Sequence, residues 1–184
     1  MRRRLYSAAL ILWWLLAMTW VAILMGSESD WPVMENAVEV LDGLQLRCEV
    51  KITSAHRTPK ATAEYVADAE RRGCRVFICA AGMAAHLAGA VAAQTIRPVI
   101  GVPLDASFGG ADALLSTVQM PAGIPVATVA VGKAGAKNAA YLAAQIVGLS
   151  EPALAERVHA DRLNSANRVA QQDARLAQQR GGNG

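Results

Sequence analysis

The residues of this chain that could do chemistry gather in three short segments. Gly26-Ser27-Glu28-Ser29-Asp30-Trp31 brings two hydroxyls and a carboxylate together just ahead of a predicted helix. Backbone N–H groups and hydroxyls at a helix start form an anion site, and Asp30 can accept hydrogen bonds from sugar hydroxyls. A plain capped turn would explain one Ser or Asp, but not the whole cluster. Ser54-Ala55-His56-Arg57-Thr58-Pro59 sets an imidazole beside a guanidinium. A neighbouring cation favours the neutral ring, the form that can act as a base. Arg57 also presents a planar fork suited to phosphate. The plainer alternative for His56 is a loop histidine bonded only to backbone. The third segment, residues 81–89, carries His86 among alanines and glycines, which let a substrate or another backbone come close. His86 reads equally well as a structural histidine at a helix start. His159 falls in the tail and reads as a surface residue.

Several other chemistries are disfavoured. Only His56 and His86 stand as metal ligands near one another, and no carboxylate pair or cysteine cluster completes a set, so no metal is expected. There is no Gly-x-Gly-x-x-Gly after the first strand and no P-loop, which argues against a dinucleotide or nucleoside triphosphate. Cys48, Cys74 and Cys79 lack Cys-x-x-Cys spacing and sit in or beside apolar runs. They read as small packed hydrophobes in a reducing compartment, which points to the cytoplasm. The net charge of +3 owes much to arginines near the two ends. With no basic stripe interleaved with aromatics, nucleic acid is not an expected partner.

Three loops can converge only if regular elements carry them, and the pattern of the remaining chain supplies these. The 184 residues are 53 % hydrophobic but only 5 % aromatic, so Ala, Val, Leu and Ile must fill strands and helices buried on more than one side. Strands are predicted at 21–25, 48–52, 75–80, 98–103 and 125–131. Helices follow them at 32–43, 59–72, near 86–94, near 111–115, and at 134–147. Five strand–helix alternations with short connections specify an α/β fold with a parallel, doubly wound sheet. Ligands then bind beyond the carboxyl ends of the strands, where all three segments fall. From residue 151 the composition turns to Gln, Arg, Asn and Ala. A C-terminal helix is expected to about Gln178, with a disordered tail from Arg180.

The N-terminus poses a conflict. Arg2-Arg3-Arg4 precedes an apolar run from Leu5 to Met25 broken only by Ser7 and Thr19, long enough to cross a bilayer. Val21–Met25 is also the natural first strand, and the same residues cannot serve both sheet and lipid. The strand reading is preferred. It leaves residues 1–19 as an apolar leader, 20–150 as the α/β domain and 151–184 as the C-terminal extension. Membrane contact by the leader is the less favoured alternative.

Taken together, these segments resemble the 5-(carboxyamino)imidazole ribonucleotide mutase family, the catalytic subunit of phosphoribosylaminoimidazole carboxylase. The resemblance runs through residues 25–31, 54–59, Ala84-Ala85-His86-Leu87, residues 118–126 and residues 132–140. It implies a flavodoxin-like three-layer αβα subunit in a homo-octamer, without metal or organic cofactor. It also implies an isomerase that moves a carboxylate from the exocyclic amine of an aminoimidazole ribonucleotide to a ring carbon. On this resemblance His56 is the general acid/base. Ser27, Asp30 and Arg57 bind the ribose phosphate portion, with Ser29 and Ser54 beside them. The loop bearing Gly82, Ala84, His86 and Leu87 holds the carboxylate or carbon dioxide. Two departures fall near that loop: Met83 replaces the family's Gly, and Ala88 its Pro. The 104–110 stretch is also one residue shorter. Two other readings stand beside the mutase: a carboxylase using free carbon dioxide, and a non-catalytic nucleotide-binding or membrane-tethered protein of the same fold.

Overall fold

The computed structural model describes residues 19–181. Five strands form one parallel sheet: β1 (Trp20–Met25), β2 (Cys48–Ile52), β3 (Cys74–Gly82), β4 (Val99–Leu104) and β5 (Ala127–Thr128). Their order is β2-β1-β3-β4-β5, the flavodoxin-like arrangement. Six helices accompany them: α1 (Trp31–Gly43), α2 (Pro59–Arg71), α3 (Leu87–Ala92), α4 (Ala111–Val118), α5 (Gly132–Gly148) and α6 (Pro152–Gly181).

Every residue of β1 and β4 is buried, as uninterrupted apolar runs require in a sheet covered on both faces. The two-residue period of β1 divides its side chains between two cores. Val21, Ile23 and Met25 pack with Met34, Leu41, Ala140 and Ala144 of α1 and α5. Trp20, Ala22 and Leu24 pack with Val66 of α2 and with Leu87 and Val91 of α3. Helix, sheet and helix thus make three layers. At the amino end of the sheet the Arg72 guanidinium lies 4.8 Å over the Trp20 ring and pairs with Glu49 at 2.6 Å. That pairing holds the Glu49 carboxyl below its usual range.

The burial of residues 20–25 settles the conflict over this stretch, because side chains committed to the sheet cannot face lipid. Thr19, assigned to the leader by sequence, is itself buried beside the start of β1. The rest of the leader lies outside the described residues. Among the described residues no helix is long and apolar enough to cross a membrane.

Two expectations need correction. The fifth strand, predicted over 125–131, pairs only through Ile100–Ala127 and Gly101–Thr128. Gly101 faces β5, since its carbonyl accepts from the Val129 N–H. Two residues on, the next group of β4 facing that side belongs to Pro103, which has no N–H to donate, so the ladder stops. The tail, predicted to be disordered from Arg180, stays helical through Gly181. No proline or glycine stands between Pro152 and Arg180 to break the helix. Residues 182–184 lie outside the described residues.

Candidate active site

The sheet order reverses between β1 and β3, and in such sheets the crevice outside the carboxyl ends at that point is the natural ligand site. Two loops leave β1 and β3 there, and the loop after β2 joins from the side. All ten candidate residues (Ser27, Ser29, Asp30, Ser54, His56, Arg57, Gly82, Ala84, His86 and Leu87) line one open cavity of about 470 Å³ at this place.

The loop after β1 is held by its own polar groups. The Ser27 N–H donates to Asp30 Oδ2 at 3.0 Å, while Ser27 Oγ accepts from the Ser29 N–H at 3.3 Å and from Ser29 Oγ at 2.9 Å. Ser27 Oγ is therefore an acceptor twice over, and its own proton remains to donate into the cleft. Partial burial raises the Asp30 carboxyl above its ordinary range, although the Ser27 and Gly26 N–H groups and the Arg57 charge act against the rise.

The loop after β2 is a hydrogen-bonded turn. Thr58 N–H donates to the Ser54 carbonyl at 2.9 Å, and Ser54 N–H donates to Thr58 Oγ1 at 3.0 Å. Below it, Thr53 and Thr62 join hydroxyls at 2.7 Å in the buried layer, tying the turn to α2. The Arg57 N–H meets Ser54 Oγ at 3.2 Å. The Arg57 guanidinium reaches across to donate to the Gly26 carbonyl at 2.8 Å, bridging the first two loops. This places a cation beside the Ser27–Asp30 cluster, where an anionic group would meet both.

His56 joins the second loop to the third. Its Nε2 lies 2.8 Å from His86 Nδ1, with the rings edge to face at 82°. At that distance one ring nitrogen donates a hydrogen bond and the other accepts it, with the roles set by the two tautomers. His86 does occupy the N-cap of α3, but its side chain makes no capping bond. What holds its ring is His56 rather than the helix start. His159 is exposed on α6, as expected of a surface residue. Among the described residues no cluster of three His, Cys, Asp or Glu could hold a metal ion.

Five lining residues are not among the ten candidates: Gly26, Ala55 and Ala81, which belong to the three segments read from sequence, and Met83 and Ala106. Ala106 enters from the loop after β4. An ideal Cβ on Gly82 would lie 2.8 Å from the Ala106 Cβ, which shows how closely the third and fourth loops pack. The signal available was position: this loop follows the strand beside β3 and leaves the same edge of the sheet. Met83, noted only as a departure from a pattern, lines the cavity with a left-handed backbone (φ 56°). The other departure, Ala88, is buried in α3 and does not line the cavity.

A flavodoxin-like αβα subunit whose switch point gathers two serines, an aspartate, an arginine and a pair of histidines has the groups that acid–base chemistry on a small anionic ligand needs. The family model described as AIR carboxylase matches residues 20–168, and the chain belongs to that family. It is 50 % identical over 150 residues to the N5-carboxyaminoimidazole ribonucleotide mutase of Pseudomonas aeruginosa, covering 81 % of this chain and 92 % of that one. It is 48 % identical over 157 residues to the protein of the same name from Bacillus subtilis, covering 85 % and 97 %. Among solved structures, Treponema denticola PurE superposes with a TM-score of 0.78 at 32 % identity, covering 86 % of this chain and 98 % of that one.

Proposed function

We propose that this chain is an N5-carboxyaminoimidazole ribonucleotide mutase of purine biosynthesis. It moves the carboxylate of 5-(carboxyamino)imidazole ribonucleotide from the exocyclic nitrogen to the ring carbon C4. The observation that carries this reading is the His56–His86 contact, set between an anion-suited loop and a pocket of small residues. The relatives at 48–50 % identity that bear the mutase name favour it over direct carboxylation.

Each residue then has a task. Arg57, Ser27 and Asp30 hold the ribose phosphate portion through charge and hydrogen bonds, with Ser29 and Ser54 fixing the geometry of the first two. His56 gives its proton to the exocyclic nitrogen as the N–C bond breaks, releasing carbon dioxide. The ring carbon attacks the retained carbon dioxide, and His56 takes the C4 proton to restore aromaticity. Proton and carboxylate are both conserved, so the cycle closes without a further reagent. Holding carbon dioxide beside C4 makes the second step effectively intramolecular, an advantage that reaches an effective concentration on the order of 10⁵ M or more. His86, in contact with the same ring, orients His56 and shares its proton.

The subunit exposes large apolar side chains, among them Ile96 (99 %), Leu149 (89 %) and Phe108 (86 %). Assembly into a homo-octamer would cover such groups. The free cysteines suit the reducing cytoplasm, where the ribonucleotide is the expected small-molecule partner. Turnover of each substrate with and without bicarbonate tests the reaction. Conversion of the carboxyamino compound in bicarbonate-depleted buffer is expected; turnover only of aminoimidazole ribonucleotide plus bicarbonate would overturn the mutase reading.

A further inference from the structure

Among the described residues three other than glycine hold a positive φ: Gln45 (55°), Met83 (56°) and Phe108 (50°). A side chain in the left-handed region carries a steric cost that glycine avoids, and such strain concentrates where a side chain has work to do. Of the three, only Met83 lines the cavity shared by His56 and His86. It is 62 % exposed, so a large apolar side chain presents most of its surface rather than serving the core. Its neighbours in the lining include Ala55, Ala81, Gly82, Ala84 and Ala106, none of which reaches far into the space. An unbranched thioether is the side chain here that can adapt its shape to cover a small apolar guest.

We propose that Met83 is the retention residue of the cleft, the wall that keeps carbon dioxide beside the ring carbon between its two bonds. This rests on the mutase reading. When the N–C bond breaks, its electron pair stays on nitrogen, which takes the proton from His56, and neutral carbon dioxide is left. No ion pair can hold a neutral linear molecule, so its residence depends on the walls in contact with it. Bond formation at C4 then ends the exposure, and the C4 proton returns to His56. Glycine would suit the backbone at position 83 better and retain the guest worse.

The test compares the full chain with Met83→Gly, Met83→Leu and Gln45→Gly. Substrate labelled with carbon-13 in its carboxylate is turned over in unlabelled bicarbonate, and label retained in the product is measured with the free aminoimidazole ribonucleotide released. Met83→Gly is expected to melt no lower than the parent yet lose label several-fold more, with more free amine. Met83→Leu should retain label near the parent level. Gln45→Gly relieves the same strain at the opposite end of the sheet and should leave retention unchanged. Equal retention in Met83→Gly and the parent would overturn the proposal. So would a loss accompanied by a changed assembly mass, which would make Met83 a subunit contact. A parent chain that interconverts nothing would instead remove the mutase reading itself.

Discussion

Arg57 spans the gap between two loops, donating to the Gly26 carbonyl at 2.8 Å while its own N–H sits on Ser54 Oγ. Removing the guanidinium takes away the cation beside Ser27 and Asp30. Arg57→Ala should weaken ribonucleotide binding by about 10- to 100-fold, the worth of a charge-assisted hydrogen bond, as read by calorimetry. Asp30 makes a prediction with a sign. Partial burial, the largest cause, keeps its proton on to higher pH in the folded chain than the ordinary value of 3.8. This group therefore stabilises the fold fully below 3.8, and the contribution is lost as pH rises through the raised folded value. Asp30→Asn cannot ionise, so its melting temperature should gain on the parent as pH climbs from 3.8 through the raised folded value, and the difference should level off above it. A parallel pair of melting curves would count against the account. At this scale the sequence was informative where side chains carry chemistry: two serines, an aspartate, a histidine and an arginine announce themselves. Ala106 carries none, so only the adjacency of β3 and β4 reveals it. The contact between His56 and His86, 30 residues apart, likewise exists only once the two loops are brought together.

The elements were legible where burial demands a repeating composition. Trp20–Met25 and Val99–Leu104 are continuous apolar runs because both faces of a central parallel strand are covered. The strand predicted over 125–131 is longer than β5 because that stretch is apolar apart from Thr128, while its pairing depends on donors of β4. Pro103 withholds one of these, and no window of β5 itself contains that fact. The loops are also coupled through the ends of strands. A methyl on Gly82 would meet the Ala106 Cβ at 2.8 Å and the Leu104 carbonyl at 3.4 Å. Gly82→Ala must push the third and fourth loops apart. It should cost about 1–3 kcal/mol of stability, the usual penalty of overpacking, and lower kcat/KM together with the melting temperature. Unchanged thermal denaturation would show that these loops yield freely and do not shape the cleft.

For the molecule as a whole, strand alternation in the sequence specifies a doubly wound sheet but not its order. The same five units could be threaded in another order, and the position of the switch point rests on the observed pairing. That order puts the cleft at the carboxyl ends of the strands and the start of β1 at the opposite end. A chain lacking residues 1–18 should therefore keep turnover, and it and the full chain, whose subunit mass is 19.4 kDa, should each sediment at eight times their own subunit mass. Sedimentation as a monomer with full activity would refute the octamer. The central claim, that His56 carries the proton in a carboxylate transfer, is tested most directly by His56→Asn, which removes the ionisable ring while filling its space. Ribonucleotide affinity and turnover should be measured side by side on the full-length variant. Binding close to that of the parent is expected, with turnover lower by about 10²–10⁴-fold. Parental turnover in His56→Asn would contradict the claim.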